Sequence, residues 1–141
     1  MSLPSPEDLT SFMHVLAPFS ATIGARVIAV GPDEVVVEAD WAEERCTNGG
    51  ALHGGYLMSL ADCAGAVLAT LHLPEGAGTS TTDSNTHFLR AARSGPVRAT
   101  SRLVKAGRSL IVVRTEVAGP EGKPVTVTTQ SQIVLLSLIH I

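Results

Sequence analysis

The chain has 141 residues and a formal charge of −3, with 45% hydrophobic, 4% aromatic and 16% charged residues, which leads us to expect one globular domain over residues 1–141. A chain of this size hides roughly two thirds of its unfolded surface, so no structural metal or disulfide framework is required. Two cysteines without a CxxC pair, Cys46 and Cys63, argue for a reducing cytoplasm, the first residues do not resemble a secretory signal, and the aromatic residues are too few for a nucleic-acid stacking platform.

Glu7 and Asp8 beside Leu9, Phe12, Met13 and Leu16 predict a short amphipathic helix that ends by Pro18. Residues 27–30 and 35–39 flank Gly31-Pro32-Asp33 and predict a hairpin. A polar, Gly-rich loop over 43–51 leads into the longest apolar stretch, 56–73, which is rich in Ala and Leu on every face and predicts a helix buried on most sides. Asp62 in its middle, and His53 and His72 where basic anchors would stand, exclude a membrane span. Four strands are expected over 79–89, 97–105, 110–117 and 125–136, separated by Gly95-Pro96, Gly107 and Gly119-Pro120-Glu121-Gly122. The apolar run after Ile133 continues to Ile141, further than a last strand needs. Ala61, Ala64, Gly65, Ala66 and Ala69 would let a curved sheet approach the helix, so the expected class is α+β, one helix wrapped by about six antiparallel strands.

Charge is polarised along the chain. Residues 1–79 carry ten acids and two cations, whereas residues 80–141 carry eight cations and three acids. Arg90, Arg93, Arg98, Arg102, Lys105, Arg108 and Arg114 fall in a stretch with no acid. It reads either as a binding surface for a small phosphorylated ligand or as a strand face whose cations pair with acids of the first half. The acidic total and the lack of any helix-turn-helix or zinc-finger pattern speak against nucleic acid.

Asp62 is the only charged side chain between Tyr56 and Leu71, and a carboxylate in an apolar helix needs a partner or a cavity. It is either a structural acid or a functional one. His53-Gly54-Gly55 at the helix entry leaves backbone N–H groups open at the positive end of the helix dipole, an arrangement suited to an oxyanion and also found in ordinary helix starts. Gly54 and Asp62 are eight residues apart, about 12 Å along one helix, too far to act on one carbonyl. If they serve one reaction, two antiparallel copies of the helix lie side by side in a two-fold dimer with two shared sites. His14, His72 and His140 have no metal-ligand spacing with either cysteine, so no metal is expected. Ser59 lacks a G-x-S-x-G elbow, Cys63 reads as a packing thiol, and Asn85 and His87 read equally as cross-strand polar pairs or as site residues.

Gly50-x-Leu52-His53-Gly54-Gly55, Ser59-Leu60-Ala61-Asp62, Thr81-x-Asp83-x-Asn85-x-x-Phe88-Leu89-Arg90-x-Ala92 and Val104-x-x-Gly107-Arg108-Ser109-Leu110 together resemble the hotdog-fold acyl-CoA thioesterases, specifically their phenylacetate-degradation branch. The resemblance covers roughly residues 45 to 115 and implies a long central helix wrapped by a six-stranded antiparallel sheet, a homodimer often paired into a homotetramer, and cofactor-free hydrolysis of an acyl-CoA. It implies the Gly54 amide as oxyanion donor, Asp62 of the other subunit as base or nucleophile, His53 at the thioester and Thr81 holding the water. The family Asn six residues before the motif His is Thr47 here, so that role falls to Asn48 through a shifted loop or to Thr47 itself. Arg90, Lys105, Gly107, Arg108 and Ser109 are implied to hold CoA. Gly55, Tyr56 and Met58, with Leu60, are expected to line a pocket for an aryl or medium-chain acyl group. A non-catalytic acyl-CoA sensor or carrier is the alternative, and the His-Gly-Gly motif does not reproduce the arrangement of acyl-thioester dehydratases.

Overall fold

The computed structural model describes residues 2–136; the apolar run from 137 to 141 lies outside the described residues. In chain order the elements are α1 (Pro6–Leu16), α2 (Pro18–Thr22), β1 (Arg26–Val30), β2 (Glu34–Ala39), α3 (Gly54–Thr70), β3 (Gly78–Phe88), β4 (Val97–Ala106), β5 (Leu110–Ala118) and β6 (Pro124–Leu135). The strands form one six-stranded sheet in the order β1-β2-β4-β5-β6-β3, every pair antiparallel, and α3 packs against it. The expected α+β class and each expected strand are present.

Local chemistry sets the helix ends. The Ser5 side chain accepts from the Asp8 amide at 3.1 Å, and Pro6 fills a first-turn position that needs no donor. Leu9 and Met13, four residues apart, turn inward. α1 ends at Leu16, before Pro18 as expected. Pro18 opens a further short helix, α2, because a residue without an N–H is suited to the first position of a new helix.

The core lies between α3 and the concave face of the sheet. Leu57, Leu60, Ala64 and Leu68 meet Val35, Val37, Val97, Ile111 and Val113, all buried. The expectation that α3 is buried on most sides needs one correction. Gly55, Met58 and Asp62 are exposed, and Ser59, Ala66 and Thr70 are half-buried, so one face of the helix is open along its length at the three- and four-residue spacing of a single stripe.

The two edges of the sheet differ. At β1 the Val27 amide donates to Thr10 Oγ1 at 2.8 Å and His14 Nε2 lies 2.7 Å from the Ala25 carbonyl, so α1 caps that edge. At the other edge β3, among the described residues, pairs with β6 alone and is exposed over most of its 11 residues. A long bare edge is a ready template for another strand.

Candidate active site

Asp62 sits on the open face of α3, beside the bare edge of the sheet. Its Oδ1 accepts from the Thr81 hydroxyl at 3.0 Å and from Gln130 Nε2. Thr81 Oγ1 in turn accepts from Gln132 Nε2 at 2.7 Å. Thr81 and Gln132 are register partners in the β3–β6 ladder, so the sheet delivers both to the same point. Oδ2 has no hydrogen bond among the described residues. The result is a carboxylate with one oxygen fixed and the other available, the form a general base or a nucleophile requires.

The environment differs from the sequence expectation in that Asp62 is exposed within one chain rather than buried. Its neighbour Cys63 is buried, and burial, with a smaller contribution from the Asp62 charge, pushes the thiol up to about 12. Cys63 is therefore a packing thiol and not a nucleophile at neutral pH.

Gln130 and Gln132 were not singled out by sequence reasoning. Each is 1% exposed, on the inner face of β6 in line with Thr126 and Thr128. The only sequence signal is a row of uncharged polar residues at period two in the last strand, which resembles a solvated face. Gln130 reaches Asp62 because position 65 is glycine: a Cβ there would lie 1.9 Å from Gln130 Oε1. The carboxamide must point its nitrogen at the carboxylate, which leaves the buried Oε1 facing Gly65 without a partner.

The helix entry is built as anticipated. His53 is the N-cap of α3, its Nδ1 accepting from the Gly55 amide at 2.8 Å, which assigns the ring proton to Nε2. The Gly54 amide has no partner among the described residues, and a Cβ at Gly54 would stand 3.1 Å from the Phe88 ring. Asn48 and Thr47 lie exposed in the loop before the helix, at the His53 end of α3. Within one chain, then, His53, Gly54 and Asn48 share one end of the helix, while Asp62 and Thr81 meet further along it.

An apolar cleft of about 220 Å³ opens beside Asp62, lined by Met13 and Leu16 of α1, by Cys63, Ala66 and Val67 of α3, and by Thr79 and Thr81 of β3. Tyr56 is not at this cleft. It lines a separate cavity of about 420 Å³ with Ile23, Arg45 and His53, and its hydroxyl donates to the Ile23 carbonyl at 2.5 Å. Leu60 is fully buried in the core. The reason is helical phase: positions two and six residues before Asp62 are turned about 200° and 240° away from it. Met58, one turn before Asp62, shares its face, as does Gly55.

The residues implied for CoA are divided between the two ends of the sheet. Lys105 stands at the end of β4, and Gly107, Arg108 and Ser109 form the β4–β5 turn, where the Val134 amide donates to the Ser109 carbonyl at 2.9 Å. Arg90 lies near the start of β6, its guanidinium donating to the Pro124 carbonyl at 2.6 Å. Strand rise separates these points by about 30 Å, so one chain does not gather them. Two further cations pair with acids of the first half, Arg98 with Glu38 and Arg102 with Glu34, each at 2.8 Å. Among the described residues no group of three or more His, Cys, Asp or Glu side chains is placed to hold a metal, and no helix is long and apolar enough to cross a membrane.

Residues 49–126 match the family model described as Thioesterase superfamily. An inferred esterase of Saccharolobus solfataricus is 32% identical over 101 residues, covering 72% of this chain and 71% of that protein. The crystal structure of a thioesterase from Haemophilus influenzae superposes with a TM-score of 0.91 at 26% identity, over 99% of this chain and 97% of that one. A thioesterase-like, phenylacetic acid degradation-related protein from Ralstonia eutropha gives a TM-score of 0.79 at 27% identity, over 89% and 98% of the two chains. With this fold, and with more than half of its length matched, the chain belongs to the thioesterase superfamily of hotdog-fold thioester hydrolases.

Proposed function

We propose that the protein hydrolyses an aryl or medium-chain acyl-CoA to free acid and CoA at a site shared across a homodimer. The observation that carries this reading is the Asp62 carboxylate, anchored through Oδ1 by Thr81 and Gln130 at the lip of an apolar cleft, while the unpartnered Gly54 amide stands about 12 Å away on the same helix.

The bare edge of β3 supports the dimer. Asp62 is bonded to Thr81, and Gly54 lies under Phe88. Antiparallel pairing of β3 with its copy, centred on Asn85, sets the bulge between Thr81 and Asp83 opposite Phe88 of the partner subunit and so brings Asp62 to Gly54 of the partner subunit. A second copy would also cover the open face of α3. Pairing of dimers into a tetramer is part of the proposal, as is a cytoplasmic location.

In this site the thioester carbonyl oxygen accepts from the Gly54 amide, with the helix dipole behind it. In the base route, Asp62 Oδ2 takes a proton from water, the hydroxide adds to the carbonyl carbon, and the oxyanion collapses with loss of CoA thiolate, which regains the proton. In the nucleophile route, Oδ2 itself adds to the carbonyl carbon, the oxyanion expels CoA thiolate to leave an acyl-enzyme anhydride, and water then cleaves the anhydride to the free acid and the Asp62 carboxylate, with one proton passing to the thiolate. Thr81 keeps Oδ1 in place throughout. His53 and Asn48, at the Gly54 end, lie close to the thioester, and Gly55 and Met58 border the acyl group on the open face. Arg108 with Lys105, Gly107 and Ser109 of one subunit, and Arg90, hold or steer the CoA phosphates. The Ralstonia neighbour supports placing the chain in the phenylacetate-degradation branch.

The test is thiol release from acyl-CoAs by wild type and Asp62→Asn. The reading expects loss of at least about a hundredfold in kcat with the oligomer intact. Undiminished turnover by the variant contradicts it, and saturable binding without release by wild type moves the protein to the sensor or carrier class.

A further inference from the structure

The cleft beside Asp62 borders a second hollow of about 580 Å³, walled by Phe12, Leu73, Pro74 and Ala77. Leu16, Thr70 and Thr79 line both. We propose that the two hollows form one channel for a linear acyl chain, running from Asp62 along α3 and past a waist of Leu16, Thr70 and Thr79, so that straight chains of dodecanoyl length are preferred to aryl groups. This inference rests on the thioesterase reading and narrows its substrate.

Length and chemistry support it. Thr70 is eight residues beyond Asp62, about 12 Å along the helix, and an extended hydrocarbon advances roughly 1.3 Å per carbon. A chain whose carbonyl lies at Asp62 therefore reaches the waist at about its ninth or tenth carbon and continues into the second hollow. A phenylacetyl group covers about half that distance and leaves the second hollow unused. Among the described residues, Asp62 at the near end and Glu75 at the far end are the only charged side chains on the walls, which suits an uncharged chain between them. Phe12 and Leu16 are 46% and 63% exposed, on the flank of the α1 stripe that carries Leu9 and Met13. A bound chain would cover part of that apolar surface, to which each buried methylene adds up to about fourfold in affinity.

The experiment measures kcat/KM for butanoyl-, octanoyl-, dodecanoyl-, hexadecanoyl- and phenylacetyl-CoA with wild type, Thr70→Phe and Ala77→Trp. Thr70→Phe closes the waist, and Ala77→Trp fills only the second hollow. Wild type is expected to favour dodecanoyl over both octanoyl and phenylacetyl. The dodecanoyl-to-octanoyl ratio is expected to fall about tenfold or more in each folded variant. A wild-type preference for phenylacetyl-CoA, a flat chain-length profile, or ratios unchanged in both folded variants overturns the channel while leaving the thioesterase reading intact. If wild type releases no thiol from any substrate, that reading fails, and calorimetric binding of dodecanoate decides the channel. Binding weakened by both variants keeps it, and no binding, or binding unaffected by either variant, overturns it.

Discussion

Replacing Gly65 by alanine probes how Asp62 is held. Helix propensity alone favours the change, since alanine in a helix interior is about 1 kcal/mol better than glycine. Packing opposes it, because the new Cβ would lie 1.9 Å from Gln130 Oε1 and 3.0 Å from both Gln130 Cδ and Val113 Cγ2. The Gln130 carboxamide must then swing away from Asp62. With Gln130 only 1% exposed, its displaced N–H has no water to turn to, and an unsatisfied buried donor costs about 1 to 3 kcal/mol. Side-chain strain adds about another 1 kcal/mol. The net expectation is destabilisation by about 1 to 3 kcal/mol, a fall of roughly 3 to 10 °C in Tm, together with slower thiol release. Gln130→Ala in the Gly65→Ala background removes the clash, so the two changes should be non-additive, the double variant being more stable than the sum of the single effects predicts. Thermal melts and turnover of the four proteins read this directly. A Gly65→Ala protein that melts higher than wild type and turns over at the wild-type rate would refute the proposed contact.

Two other outcomes follow from the same geometry. Burial raises the Glu38 carboxyl, but hydrogen bonds from Arg98 and Arg26 outweigh it and hold the group below the usual carboxylate range. A depressed folded-state pKa contributes stability above the unfolded value near 4.3 that is lost as pH falls through the folded one, so Glu38→Gln should flatten the loss of stability below about pH 5 in acid denaturation, and an unchanged acid profile would count against the ion pair. Asn85→Cys, at the expected two-fold centre of β3 where the residue faces its own copy, should form a disulfide-linked dimer under mild oxidation, since opposed residues of an antiparallel pair stand about 4.5–5.5 Å apart at Cα; failure to cross-link in a protein shown to be dimeric would exclude that register.

Much of the fold was legible because its signals are periodic. The strands alternate, the turns carry glycine and proline, and the Ala- and Leu-rich run of α3 is unmistakable even though glycine at 54 and 55 moved its expected start to Tyr56. The five-residue α2 is too short for any period to register. At the site, Asp62 and the His53-Gly54 entry stood out because charge and paired glycines are rare in such a helix. Gln130 and Gln132 did not, because an inward-facing polar row on a strand looks the same in sequence as an outward-facing one. The acyl lining was drawn from chain neighbours of the motif, and helical phase turns Tyr56 and Leu60 away from Asp62. The cleft's other wall comes from α1, some fifty residues earlier, a contact that no local pattern announces.

The shared site is tested most directly by mixing two inactive chains. Gly54→Pro removes the oxyanion donor at a first-turn position where proline is tolerated, and Asp62→Ala removes the acid. Each alone should be inactive as a homodimer, whereas the heterodimer retains one site with both wild-type groups and should recover up to about half of the wild-type activity per dimer. No recovery in samples shown by mass to contain heterodimers would contradict a site built from two subunits.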